Sequence, residues 1–178
     1  MTHGADQAPE AEHSLPPCGI ALSDGLGIDL LDYSRRFRDA VLGRAPSERM
    51  CYVVSGPLCA AITALGFGAR LVKNKVAYME HIFIRLDDGR VLDATADQFA
   101  NFADVGPIYL GEPVKRIHGG WKVWRDGHSW LALIRGFELL QPDLDATKIG
   151  NMIRRLYETM PGEHQFTAAF GGRGLVDA

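Results

Sequence analysis

The chain has 178 residues, of which 47% are hydrophobic, and a formal net charge of −3. That length favours one domain, that apolar content supports a real core rather than wholesale disorder, and a charge balance without a basic field excludes nucleic acid as a default partner. No apolar run approaches the roughly 18 residues of a membrane span. The opening MTHGADQAPEAEHSLPP lacks the basic start and apolar stretch of a signal peptide. The expectation is a cytoplasmic protein that does not engage a membrane, although secretion by a non-classical route, as an effector, leaves no mark on a sequence.

Residues 1–17 contain three prolines and little apolar content, and read as a flexible arm. Over 27–43, Leu30, Tyr33, Phe37, Ala40 and Val41 share one helical face, and Gly43 and Pro46 end the helix. In SERMCYVVSGPLCAAITALGFG, Leu58, Ile62 and Leu65 keep helical spacing and Gly66 is a stop. Proline suits a first turn and breaks an interior. The helix therefore starts near Ser55, or it starts near Ser47 and kinks at Pro57. Either start places Cys51 at or just before a helix N-terminus.

Beyond Gly66 the pattern changes to strands: ARLVKNKVAY, MEHIFIRL, RVLDATA and a short PIYLG. Asp87-Asp88-Gly89 is a hairpin signal. Then Trp130, Leu133, Ile134, Phe137 and Leu140 share a helical face, as do Ile149, Ile153, Leu156 and Met160. The expectation is an α+β fold, with a single domain over 18–170 and a tail over 171–178.

Three cysteines at wide spacing, without a C-x-x-C pair, argue against a disulfide scaffold and a structural zinc site. Cys59 falls inside the apolar stripe of its helix, where a thiol behaves as a small hydrophobe. Cys18, beside Pro16-Pro17, reads as exposed. Cys51 is different. A cysteine attacks as its thiolate, which a helix N-terminus and a neighbouring histidine both favour. A third group must then hold the imidazole in the right tautomer. The chain offers these parts in the order Cys51, His81, Asp93.

The hairpin decides whether the last two meet. A two-residue Asp88-Gly89 turn pairs Ile84 with Asp93 and puts His81 and Asp93 on opposite faces. A three-residue loop with left-handed Gly89 at a bulge pairs Leu86 with Arg90 and Phe83 with Asp93. His81 then lies on the same face as Asp93 and diagonal to it, about 7–8 Å apart at Cα.

Met50-Cys51-Tyr52-Val53-Val54-Ser55, then Glu80-His81, then Asp88-Gly89-Arg90-Val91-Leu92-Asp93-Ala94-Thr95-Ala96-Asp97-Gln98-Phe99 resembles the papain-like/transglutaminase-like cysteine enzymes. The likeness is greatest to small phage and bacterial members with a C-Y-V-x-S segment, a lone histidine and D-x-T-A-D-Q-F. Tyr109 and Gly111 fit the tail of the pattern, and the match covers roughly residues 47–111. It departs at Met50, where relatives often carry a glutamine able to donate to an oxyanion, and at Ile82, where they often carry an aromatic residue.

The resemblance implies a nucleophile-bearing helix packed on a small antiparallel sheet that carries the histidine and aspartate. Here it implies Cys51, His81 and Asp93 as catalytic residues, with Gln98, Tyr52 and Thr95 lining the site. The implied chemistry is thiol-dependent acyl transfer on an amide: deamidation, peptide or amide hydrolysis, or transglutaminase-like transfer. The substrate would be a protein or peptide amide or a small amide or acyl compound, with no metal and no organic cofactor. The family holds proteases, deamidases and amide-forming transferases, so the fold alone does not choose the reaction.

Other readings stand beside this one. A non-catalytic binding or regulatory domain could keep the fold, and Met50 is its best support. A metal-dependent hydrolase would recruit His118 or His128 to His81 or Asp93, without any H-E-x-x-H spacing. His118 and His128 lie near glycines and read as loop residues. Asp97 reads as a strand-end cap, Thr95 and Gln98 equally as polar residues where a strand leaves the sheet, and Trp121, Trp124 and Trp130 as packing. Oligomeric state is not legible.

Overall fold

The computed structural model describes residues 27–125 and 130–159. The expected arm and tail, Cys18, His128 and Met160 lie outside the described residues. Helix α1 (Leu30–Leu42) starts where Asp29 Oδ1 accepts the N–H groups of Leu31 and Asp32, at 2.9 and 3.0 Å. Leu30, Tyr33, Phe37 and Val41 are buried as the periodicity predicts, and Ala40 is half-buried. Gly43 ends the helix with φ of 59°.

Helix α2 (Cys51–Ala64) starts at neither expected place. Its first residue is Cys51, and it continues through Pro57. An interior proline forfeits one backbone hydrogen bond. That loss is offset by burial, because every residue from Val53 to Ile62 is buried.

The sheet is antiparallel, in the order β4-β3-β2-β1-β5. Its strands are β1 (Ala69–Val76), β2 (Met79–Leu86), β3 (Val91–Asp93), β4 (Tyr109–Gly111) and β5 (Lys122–Val123). One face, through Ile84, Leu86 and Leu92, shares the main core with α2. The other carries Val72, Phe83 and Val91. A further cluster of Val76, Phe99 and Ile117 packs near it. Helices α4 (Trp130–Glu138) and α5 (Ala146–Thr159) complete the main core. Gly150 lets α5 lie close on α1: an added Cβ would stand 2.7 Å from Phe37 O. None of the described helices is long and apolar enough to cross a membrane.

The β2–β3 connection takes the three-residue form. Ile84 pairs with Leu92 and Arg85 with Val91. Leu86 N–H donates to Arg90 O at 2.9 Å, Gly89 N–H donates to Leu86 O at 3.0 Å, and Gly89 has φ of 93°. The register therefore puts His81 and Asp93 on one face.

Several expectations need correcting. The RVLDATA strand stops at Asp93, because the Asp93 carboxylate turns back to accept from Thr95, and a 3-10 helix (Ala96–Phe99) follows. Helix α4 ends at Glu138, so Leu140 lies beyond it and is 76% exposed, while Leu133 is 38% exposed; only Trp130 and Ile134 of that face are buried. His118 is not a loop residue. It ends a one-turn helix, α3 (Lys115–His118), and is fully buried.

Because Gly89 sits in the left-handed region, Gly89→Ala is expected to cost about 1–2 kcal/mol through Cβ strain alone. Nothing lies within 4 Å of where the Cβ would stand, so a chemical-denaturation curve should read backbone strain without a packing loss. An unchanged midpoint would show that the loop does not need glycine.

Candidate active site

Cys51 opens α2, whose N-cap position holds Met50 and makes no side-chain cap. Helix geometry leaves the first N–H groups without intrahelical partners, and the positive end of the helix lies there. Arg49, two residues earlier, takes a left-handed φ of 61°. Ser55 lies one turn on from Cys51, and its Oγ donates to Ile82 O at 3.2 Å. This bond fixes the first turns of α2 against β2 beside His81.

His81, on β2, and Asp93, at the end of β3, are both fully buried. His81 Nε2 lies 2.7 Å from Asp93 Oδ2. The other ring nitrogen, Nδ1, is buried without a hydrogen-bond partner. Cys51 lies near enough to the ring to favour its charged form. Phe99 meets the imidazole edge-on at 4.5 Å and Phe83 stacks at 5.3 Å. The structure thus brings Cys51, His81 and Asp93 together, with one imidazole nitrogen given to the carboxylate and the other left without a hydrogen-bond partner.

Every lone-pair direction of Asp93 has a donor. Oδ1 accepts from Thr95 N–H at 3.0 Å and Thr95 Oγ1 at 3.3 Å. Oδ2 lies 2.7 Å from His81 Nε2 and 3.3 Å from His118 Nε2. Burial alone would raise the carboxyl pKa, but the His81 charge and the hydrogen bonds from His118 and His81 hold it well below the usual carboxylate range. At His81, burial favours the neutral ring. The charge and hydrogen bond of Asp93, then those of Cys51, outweigh it and push the pKa up to about 9. Cys59 lies in the main core, where burial pushes its thiol up to about 12.

The expected lining residues have other contacts. Thr95 is fully buried, and its Oγ1 donates to Asp93 Oδ1. Gln98 is half-buried, and its Nε2 donates to Thr95 O and Thr95 Oγ1, both at 3.0 Å. Tyr52 is half-buried beside Cys51, with Trp124 edge-on at 5.1 Å. Asp97 is not a strand-end cap; it pairs with Arg38 of α1 at 2.9 Å. Of the tryptophans, Trp130 is core, whereas Trp121 is 37% exposed beneath the Arg85 guanidinium.

The sequence brings His118 to His81 or Asp93 only in the metal-dependent alternative; its direct contact with Asp93, from a histidine 25 residues further on with no periodic context, was not foreseen.

His81, Asp93 and His118 place three possible ligand atoms within 4.8 Å of one another. Their hydrogen bonding is not that of a metal centre. Val114 N–H donates to His118 Nδ1 at 3.1 Å, so the ring proton of a neutral His118 sits on Nε2, facing Asp93. A ligating imidazole instead gives its lone pair to the metal and its other N–H to an acceptor. The cluster is a carboxylate held by two imidazole donors.

The pKa shifts set a stability profile. His81 has a folded pKa, about 9, above its ordinary 6.5. Its contribution is therefore full below pH 6.5 and lost as pH rises through about 9. Asp93 is shifted below its ordinary 3.8, so its contribution is present above that pH and lost on strong acidification. Unfolding free energies of wild type minus those of His81→Phe should therefore form a plateau between pH 4 and 6.5 and fall between pH 7 and 9. A difference that rises across pH 7–9 would refute the ion-pair assignment.

No family model, curated protein or solved structure matches this chain.

Proposed function

We propose that this chain is a thiol-dependent acyl-transfer enzyme acting on amides, related to the papain-like/transglutaminase-like cysteine enzymes that the 47–111 segment resembles. The observation that carries the reading is the two-sided use of His81. Asp93 holds Nε2 at 2.7 Å and the buried Nδ1 has no hydrogen-bond partner, while the Cys51 thiol at the start of α2 stands near enough to the ring to favour its charged form. That is the arrangement a nucleophile, base and orienting acid require. A solely structural histidine would be expected to satisfy both nitrogens.

In the proposed reaction the Cys51 proton resides on His81 Nδ1 and the sulfur attacks the amide carbonyl carbon. A C–S bond forms as the carbonyl π pair moves onto oxygen, which the Cys51 N–H at the start of α2 can stabilise. The intermediate collapses, the C–N bond breaks, and the amine leaves with the proton from Nδ1. A thioester remains on Cys51. Water then gives hydrolysis or deamidation, and an amine gives transfer. The incoming nucleophile passes its proton to Nδ1, and that proton returns to sulfur as the C–S bond breaks. Glutamine side chains and peptide bonds are the proposed target class.

Cys51→Ala should retain the fold and abolish turnover and acyl-adduct formation. Cys59→Ala should retain chemistry and lose on the order of 1 kcal/mol from the core. Iodoacetamide labelling near neutral pH, followed by intact mass, should find Cys51 modified first, at a rate strongly reduced by His81→Phe. An acyl adduct on Cys51 with glutamine-containing peptides would establish the reaction class. Activity surviving in Cys51→Ala would eliminate the reading, and an unreactive Cys51 that forms no adduct would favour a binding domain built on the same frame.

A further inference from the structure

We propose that His118 is a positioning residue of this site: a neutral imidazole that shares the Asp93 oxygen with His81 and thereby limits how tightly Asp93 holds the His81 proton. The role in catalysis rests on the acyl-transfer reading above; the hydrogen-bond geometry does not.

The placement of His118 is over-determined. Asn74, the cross-strand partner of His81 on β1, donates through Nδ2 to Ile117 O at 2.8 Å and to Gly119 O at 3.0 Å, the carbonyls on either side of His118. The His118 ring stacks on Tyr109 at 5.5 Å and lies 4.8 Å from Phe83. Val114, the N-cap residue of α3, gives its N–H to Nδ1, so the one-turn helix is closed by its own last side chain.

These contacts fix the tautomer as well as the position. With Nδ1 accepting from a backbone N–H, a proton added there would oppose Val114 N–H, so the geometry holds the ring neutral with its proton on Nε2. The ionisable groups facing it are Asp93 from β3, His81 from β2 and Tyr109 from β4; the other two charged residues of its own helix, Lys115 and Arg116, are exposed. Packing alone would be met by an apolar ring, and a polar atom buried here costs free energy unless it is paired.

The pairing has a chemical consequence. Two donors on one carboxylate oxygen share its charge, and the His118 contact at 3.3 Å is the longer of the two. Removing it leaves the oxygen to His81 alone. Asp93 then stabilises the His81 imidazolium more strongly, and His81 releases its proton less readily to a leaving amine.

Nitrogen-15 NMR titration of His81 in the full chain tests this without a substrate. His118→Phe, which fills the space without a donor, should raise the His81 midpoint by about half a pH unit or more. His118→Gln, which restores a neutral donor near Nε2, should bring it back to the wild-type value. In wild type, His118 Nδ1 should have the shift of an unprotonated ring nitrogen. Where thermal melts show His118→Phe unfolded, His118→Met makes the same comparison. A purely structural His118 would lower the melting temperature of every variant and leave the His81 midpoint in place, which overturns the proposal. A midpoint displaced equally by Gln and Phe also overturns it. Iodoacetamide labelling of Cys51 in the same samples separates the two ideas: an unreactive Cys51 with the His81 shift intact removes the acyl-transfer reading and leaves the sharing of Asp93 standing.

Discussion

A carboxylate without access to water is the constraint around which this structure is arranged. Asp93 is fully buried and stays ionised only because four donors meet it. Each donor depends on a different part of the fold. Thr95 arrives because the chain turns at the end of β3, His81 through the register of the β2–β3 hairpin, and His118 through the one-turn helix that Asn74 ties to β1. Gln98 extends the chain outward by holding Thr95. An error of one residue in the hairpin would point Asp93 to the other face and leave the two histidines without their anion.

Aromatic rings enclose the two imidazoles that meet this carboxylate. Phe83 and Phe99 lie against the His81 ring, Phe83 and Tyr109 against the His118 ring. In such surroundings a charge interaction is screened less than at the surface. Burial favours a neutral His81, yet the nearby anion wins and raises the pKa. Cys51 is itself only 7% exposed, and two surface clefts, one beside Phe137 and Lys148 and one beside Asp32 and Asp145, lie away from it.

Helix α2 makes the second half of the arrangement. Its buried, mostly apolar body commits it to the core, so the orientation of its N-terminus is decided by packing against β1 and β2 rather than by a cap. The β2–β3 ladder pairs Ile84 with Leu92, and nearer the start of β2 the Ile82 carbonyl accepts a hydrogen bond from Ser55 Oγ. Cys51, one turn before Ser55, thereby lies close to His81.

Much of this was legible in the residues themselves. The Asp87-Asp88-Gly89 loop implied its bulge because only glycine enters the left-handed region freely, and the alternation of side chains then placed His81 and Asp93 on one face. The periodic stripe of α1 and the break at Gly43 were also readable, as was the place of Cys51 near a helix start. Tertiary structure decided the rest. Pro57 hid the true start of α2, because local preference argues against an interior proline and only core burial overrides it. A strand of two residues, such as β5, is too short for alternation to show. His118 reached Asp93 from a one-turn helix with no period of its own, and Thr95 became a support for Asp93 because its hydroxyl found a buried anion. Local conformational preference determined the order and register of the elements; which polar groups share the buried carboxylate was decided by long-range packing, which brings together residues whose spacing in sequence records nothing of their contact.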